Sequence, residues 1–544
     1  MTLLRTCSSL LLLVPSLAFA KAPSPAAQRW WSHVEALASD GMEGRDTGSE
    51  GHRRAAGYVA EKLAALGVQP GAGQGYLQDV PLVSRQVVKE RSRMALVREG
   101  QEQPLTLDQE LILSPLTSRE GPVDAGLVFV GYGLSIPEAG YDDLAGQDLK
   151  GKIAVILFGG RPPGVPGNLA SHYSSPDELA KTFARAGAVG VLALPNLRVL
   201  EIPWARAVES QKHPVMALAH PTSQQGGDLP LFTIFNPAAA STLLAGSGHT
   251  LEELLALSDA GKPLPRFTLP ASLRGEVALE KSELSSVNVV GRLPGSDPKL
   301  AGESVVLSAH LDHVGLGAPV NGDGDRIYNG VMDNAAGVAA LLEVARTFQE
   351  KKVHPRRTVL FVAVTGEEKG LLGSRWFASH PPEGSGRMVA DLNLDMFLPL
   401  TPLERLVVYG VEESSLAAPL KATASRLGVE VMRDPNPEAN GFTRSDQYSF
   451  ILEGVPALSF RFGYRKGSKE ERLHKEWFAK RYHAPGDDLS QPVDREGAAR
   501  FVSLLADLTS RVADAPERPS WNKDSFFRRF ERSGAPATTA QPVP

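Results

Sequence analysis

Between Ser308 and Asp395 the chain sets out imidazoles and carboxylates in an ordered series. His310 and Asp312, with His313 adjacent, are followed by Asp333, by the pair Glu367 and Glu368, and by Asp395; a further imidazole, His483, stands downstream in Arg481-Tyr482-His483. These are the ligand types that suit zinc where thiolate is absent. Cys7 is the only cysteine, so thiolate ligation is excluded from the body of the chain. Neighbouring glutamates offer one ligand and one carboxylate left over as a base. The inventory is that expected of a hydrolytic centre with two zinc ions.

Something must bring these groups together, and the pattern around them predicts what. Apolar runs at 287–291, 304–308, 358–365, 389–394, 406–409 and 457–461 read as strands, and 336–349, 414–427 and 497–512 as helices between them. That alternation predicts an α/β fold with a mixed, mostly parallel central sheet flanked by helices. In such sheets functional groups gather beyond the carboxyl ends of the strands. His310 and Asp312 follow one strand, Glu367 and Glu368 another, Asp395 a third, and Asp333 opens the helix predicted at 336. A lone His or Asp after a strand is more often a cap or a solvated loop residue. The whole series in this order is not explained that way. Of twelve histidines only His310 and His483 are read as ligands; the rest, His313 included, are expected in surface or packing roles.

The stretch 80–284 differs in character, with short strands, many Gly and Pro residues and no ligand cluster. Strands are expected at 125–133, 152–158 and 190–194, and a helix at 176–186 with Ser175 as its cap, Pro176 first and Glu178 completing a capping box. This predicts a β-rich α+β insert. Upstream, 50–66 reads as an amphipathic helix capped by Ser49. Residues 21–28 read as a flexible leader.

Residues 1–20 have the form of an export signal: Arg5, an apolar core at 10–14 and a small-residue site at Ala18-Phe19-Ala20. That core is shorter than the roughly 20 residues a membrane span takes. The expectation is an exported protein, periplasmic or extracellular, with no membrane span. At 544 residues the chain exceeds one core. The predicted division is 1–20 signal, 21–79 with 285–515 as a discontinuous catalytic domain, 80–284 insert, and 516–544 flexible tail. A net charge of -5 with interspersed signs gives no basic footprint for nucleic acid.

The motifs resemble those of metallopeptidase family 28, the co-catalytic di-zinc aminopeptidases. Leu37-Ala-Ser-Asp40-Gly-Met-Glu43-Gly44-Arg45 resembles the family's opening segment. Val128-Phe-Val-Gly-Tyr-Gly133, Tyr141-Asp142-Asp143 and Leu149-Lys-Gly-Lys152 resemble a protease-associated domain, which implies a zinc exopeptidase fold carrying that insert. The resemblance implies that His310 and Asp395 hold one zinc, Glu368 and His483 a second, and that Asp333 bridges both. It implies Glu367 as general base, Asp312 as the partner that fixes the His310 tautomer, and Tyr482 as a hydrogen-bond donor to the developing oxyanion. Peptides are the implied substrates. At Ser445-Asp446-Gln447 relatives often carry His where this chain has Gln447, in a segment expected to line the substrate pocket.

Other readings stay open on the same scaffold. A carboxypeptidase or dipeptidase would use basic residues to hold a free carboxylate, with Arg444 and Arg461 as candidates. A glutaminyl cyclase would use one zinc, and a receptor-like scaffold none. Asp323 and Asp325, in a glycine-rich loop, are read as a solvated turn rather than a calcium site.

Overall fold

Runs of valine, leucine and alanine at 303–310, 358–364 and 387–393 leave no polar face for solvent, so these strands belong inside a sheet covered on both sides. In the computed structural model, Thr358–Val364, Glu303–His310, Arg387–Asn393 and Ala457–Phe462 lie side by side in that order, all parallel. They form the middle of a ten-stranded mixed sheet. Its flanks are antiparallel: Leu279–Leu293 and Leu77–Val87 on one side, Arg405–Tyr409 on the other. The structure describes residues 22–114, 120–199, 204–210, 214–219, 231–320, 324–435 and 441–532. The expected signal over 1–20 lies outside them, as do Asp323 and 533–544.

Strand alternation splits the central side chains between two faces. Val305, Leu307 and Ala309 pack in one cluster with the helices Pro25–Leu37, Ala336–Glu350 and Arg495–Asp514. Val306, Leu360 and Val362 face the other way, onto Phe377 of Leu372–Ser379 and Phe450 of Gln447–Leu452. Phe397 and Phe501, fully buried and 4.5 Å apart between ring centroids, join the first cluster. Each such side chain contributes roughly 1.5–3 kcal/mol by burial. A core of this kind holds the strand ends rigidly enough to aim short side chains at one point.

A second sheet of eight strands has its own hydrophobic cluster. Its limits differ from the expected 80–284. Leu77–Val87 and Leu279–Leu293 pair along their whole length, from Leu77 opposite Val289 to Val87 opposite Leu279. Residues 80–87 and 279–284 therefore belong to the first sheet, and Val215–Leu218 returns from within the expected insert to pair with Leu77–Val87. The polar residues of this ribbon, such as Ser84 and Ser282, hid it from a hydrophobic pattern. The helix Gly167–Tyr173 touches the catalytic side, with His172 Nδ1 2.5 Å from Tyr448 Oη.

Other expectations shift. Helix Pro25–Leu37 starts inside the stretch read as a flexible leader, with Ser24 accepting from the Ala27 amide. Ser49 caps Glu50–Ala65 as predicted, whereas Ser175 makes no capping bond to Pro176–Arg185. Residues 516–532, expected as loose chain, are pinned to the domain. Trp521 Nε1 donates to Gly454 O at 3.0 Å, and Phe527 is fully buried against Phe442. Two aromatic anchors outweigh the polar composition around them.

Candidate metal centre

His310, at the last position of its strand, directs Nε2 at two carboxylates: Asp395 Oδ1 at 3.1 Å and Asp333 Oδ1 at 3.2 Å. Asp333 turns its other oxygen the opposite way, Oδ2 lying 3.2 Å from His483 Nε2. That imidazole is 3.1 Å from Glu368 Oε2. Two groups of donors thus share one carboxylate. His310 and Asp333 are almost wholly buried.

Backbone anchoring explains how a loop residue reaches this position. The Asp487 carboxylate accepts the amides of Met332 and Asp333 at 3.0–3.1 Å. Asn334 donates to Leu394 O at 2.8 Å, tying the Asp333 turn to the strand end that carries Asp395. The same Asn334 accepts from the Gly337 amide at 3.0 Å. A Cβ at Gly337 would stand 2.1 Å from Leu394 O, so this approach requires glycine. Arg45 is fully buried and donates to the carbonyls of Leu37, Leu311, Asn329 and Gly330. Its guanidinium joins the segments after His310 and before Asp333. Burial lowers its pKa to about 10, with Asp487 and Asp312 opposing.

The Asp312 carboxylate accepts the Glu367 amide on Oδ1 at 3.2 Å and the Glu368 amide on Oδ2 at 3.3 Å. Thr47 Oγ1 donates to the same Oδ2 at 3.0 Å. The contact between Asp312 and the His310 ring runs through the Asp312 backbone carbonyl, which meets His310 Nδ1 at 3.1 Å. The carboxylate is already engaged in positioning the two glutamates.

Two further residues, His313 and Gln447, stand differently from expectation, while Asp325 does not. His313 is buried, with Nδ1 2.8 Å from Glu368 Oε1 and 3.8 Å from Asp333 Oδ2, so it belongs to the centre rather than to packing. Gln447 does not line an open pocket: it is fully buried, accepts from Asn393 Nδ2 at 2.7 Å and donates to Phe442 O at 2.9 Å. Asp325 accepts the Ile327 amide at 3.0 Å, a local turn bond. The Tyr482 ring stacks on His483, centroids 4.0 Å apart at 27°.

Charge is concentrated here. Burial works against a charged His310, yet the carboxylates of Asp395 and Glu367 hold its pKa well above the ordinary value. Burial, joined by Asp395, Glu368 and Asp446, pushes the Glu367 carboxyl well above its ordinary range. Burial likewise raises Asp446 to about 7. So many buried acids around few imidazoles suit bound cations. Asp333 Oδ2 adds to that fit: among the described residues no donor meets it in hydrogen-bonding geometry. His310, Asp333 and Asp395 form one compact donor group, and His313, Asp333 and Glu368 another.

Paired imidazole–carboxylate groups at the carboxyl ends of a mixed α/β sheet define a metallohydrolase. The model of peptidase family M28 matches residues 288–509, the segment that carries both donor groups, and the chain is a metallo-exopeptidase. A probable leucine aminopeptidase 2 from Aspergillus oryzae is 23% identical over 444 residues, 79% of this chain and 75% of that protein. Leupeptin-inactivating enzyme 1 from Streptomyces exfoliatus is 27% identical over 218 residues, 38% of this chain and 44% of its own length. An aminopeptidase from Aneurinibacillus sp. strain AM-1 has the same fold, with a TM-score of 0.52 at 20% identity over 90% of this chain and 95% of that one. Among the described residues no helix is long and apolar enough to cross a membrane.

Proposed function

We propose that this chain is an exported zinc-dependent aminopeptidase working through two zinc ions. The observation that carries the reading is Asp333, whose two oxygens face two separate imidazoles, each at 3.2 Å. His310, Asp395 and one Asp333 oxygen would hold one ion; Glu368, His483 and the other oxygen would hold the second. When bound, paired zinc ions lower the pKa of a shared water and polarise the scissile carbonyl.

The rest is the work of side chains. Glu367 would take the proton from the attacking water and return it to the leaving amine. Asp312, through the Glu367 and Glu368 amides, keeps base and ligand in register. Tyr482 would donate to the developing oxyanion, a role its stacking on His483 supports. The relative named a leucine aminopeptidase supports N-terminal cleavage. The unit built on the eight-stranded sheet is the part that resembles a protease-associated domain.

A panel of aminoacyl chromogenic substrates and short peptides, with free and blocked N-termini, tests this activity. Hydrolysis should need a free N-terminus, stop with a chelator and return with zinc. Cleavage of N-blocked peptides with equal efficiency would overturn the aminopeptidase reading and favour a carboxypeptidase. Export rests on the pattern of residues 1–20; N-terminal sequencing of the mature protein should begin at Lys21, and a chain retaining Met1 would count against it.

A further inference from the structure

Asp487 stands four residues after His483, fully buried in the turn that follows that imidazole. It faces the stretch that ends in Asp333. The Asp487 carbonyl accepts the Val331 amide at 3.1 Å, and the carboxylate accepts the amides of Met332 and Asp333. From the other side Arg45 donates to the carbonyls of Asn329 and Gly330. Every residue from Asn329 to Asp333 is thus held by its backbone, either by Arg45 or by Asp487. Three consecutive amides meeting one residue fix the point from which the Asp333 carboxylate reaches two imidazoles.

The carboxylate is itself oriented. Gln491 Nε2 donates to Asp487 Oδ1 at 2.5 Å and to Asp488 O at 3.0 Å, while Gln491 Oε1 accepts from Trp477 Nε1 at 2.7 Å. Both Trp477 and Gln491 are buried. An indole N–H can only donate, so Gln491 must turn its carbonyl to Trp477 and its N–H₂ group to Asp487. That N–H₂ group and the two backbone amides all donate. Position 487 therefore needs acceptors on both sides, which a carboxylate supplies and an amide does not. Trp477 lies in the helix Lys469–Lys480, whose end leads through Tyr482 to His483. The chain of bonds from Trp477 to Asp487 thus ties the segment that carries His483 to the one that carries Asp333.

We propose that Asp487 is a positioning residue for both ions: oriented by Trp477 through Gln491, it sets the shared Asp333 carboxylate against the His483 turn. The inference rests on the two-zinc reading above and adds to it the group that keeps the two donor sets in register.

Zinc affinity, read by competition with a chromogenic chelator, tests this alongside kcat and the Tm of the metal-free protein. Asp487→Asn should weaken at least one ion by about 10- to 100-fold, the usual cost of removing an outer partner of a metal ligand. Its N–H₂ group must face either the Met332 and Asp333 amides or the Gln491 amide, donor against donor. Adding Gln491→Glu to Asp487→Asn supplies an acceptor for both the indole and that N–H₂ group. Affinity should then return to within about threefold of the unmodified protein, and kcat with it. Unchanged affinity in Asp487→Asn, or a double variant no tighter than the single one, would overturn the proposal. Should Asp487→Asn not fold, Gln491→Met decides: loss of one hydrogen bond to the carboxylate should lower affinity by about 3- to 10-fold, and no loss would overturn the proposal. The zinc content of the unmodified protein reports separately on the two-zinc reading. A single ion would sink that reading while the ratios between variants still judge Asp487 at the ion that is bound; no ion at all would end both.

Discussion

Glu367→Gln is expected to bind two zinc ions and to turn over about 10²–10⁴-fold more slowly, the usual cost of removing a general base. The amide keeps the shape of the side chain and cannot accept a proton at neutral pH. The backbone of residue 367 would stay where Asp312 Oδ1 holds it, so the loss should appear in kcat with KM little changed. Glu368→Gln separates the roles. Glu368 lies 3.1 Å from His483 and 2.8 Å from His313, among the grouped donors, so its amide should weaken zinc binding instead. Elemental analysis and initial rates on both variants check this. Reversed phenotypes would mean that ligand and base are exchanged.

His310, Glu368 and Asp395 were legible because each ends or follows an apolar strand, whereas Asp333 opens a helix and His483 follows the polar helix Lys469–Lys480. His310, Asp333, Glu368, Asp395 and His483 needed only the chemistry of zinc and a resemblance to be grouped. What supports them was not legible in the same way. Arg45 acts on four carbonyls, and carbonyls are present at every residue, so nothing in the side-chain pattern marks its targets. Asp312 meets His310 through its backbone carbonyl while its carboxylate takes the amides of Glu367 and Glu368, and nothing in the side-chain pattern tells those two contacts apart. His313 stands outside the expected ligand set because a histidine without a pattern of its own is ordinarily a surface or packing residue. The strand leaves off at His310, and the turn after it brings His313 back to Glu368. The long ribbon Leu77–Val87 with Leu279–Leu293 was cut short for a related reason: it is held by backbone pairing, which polar side chains do not betray.

Asp333→Asn carries the other large effect. One carboxylate with an oxygen turned toward each group is the element the two donor groups share among the described residues. Asparagine offers one oxygen and an N–H₂ group that repels a cation, so at least one ion should be lost. Loss of a centre worth several kcal/mol of transition-state stabilisation corresponds to about 10³-fold or more in turnover. The fold should persist, because the residue 333 amide still reaches Asp487. The most direct test of the account is the zinc content of the unmodified protein after stripping and stepwise reloading, followed by mass spectrometry under native conditions alongside hydrolysis. The account predicts two ions per chain, with full activity only at the second, and one or none in Asp333→Asn. Full activity with a single ion, or two ions still bound in Asp333→Asn, would contradict it.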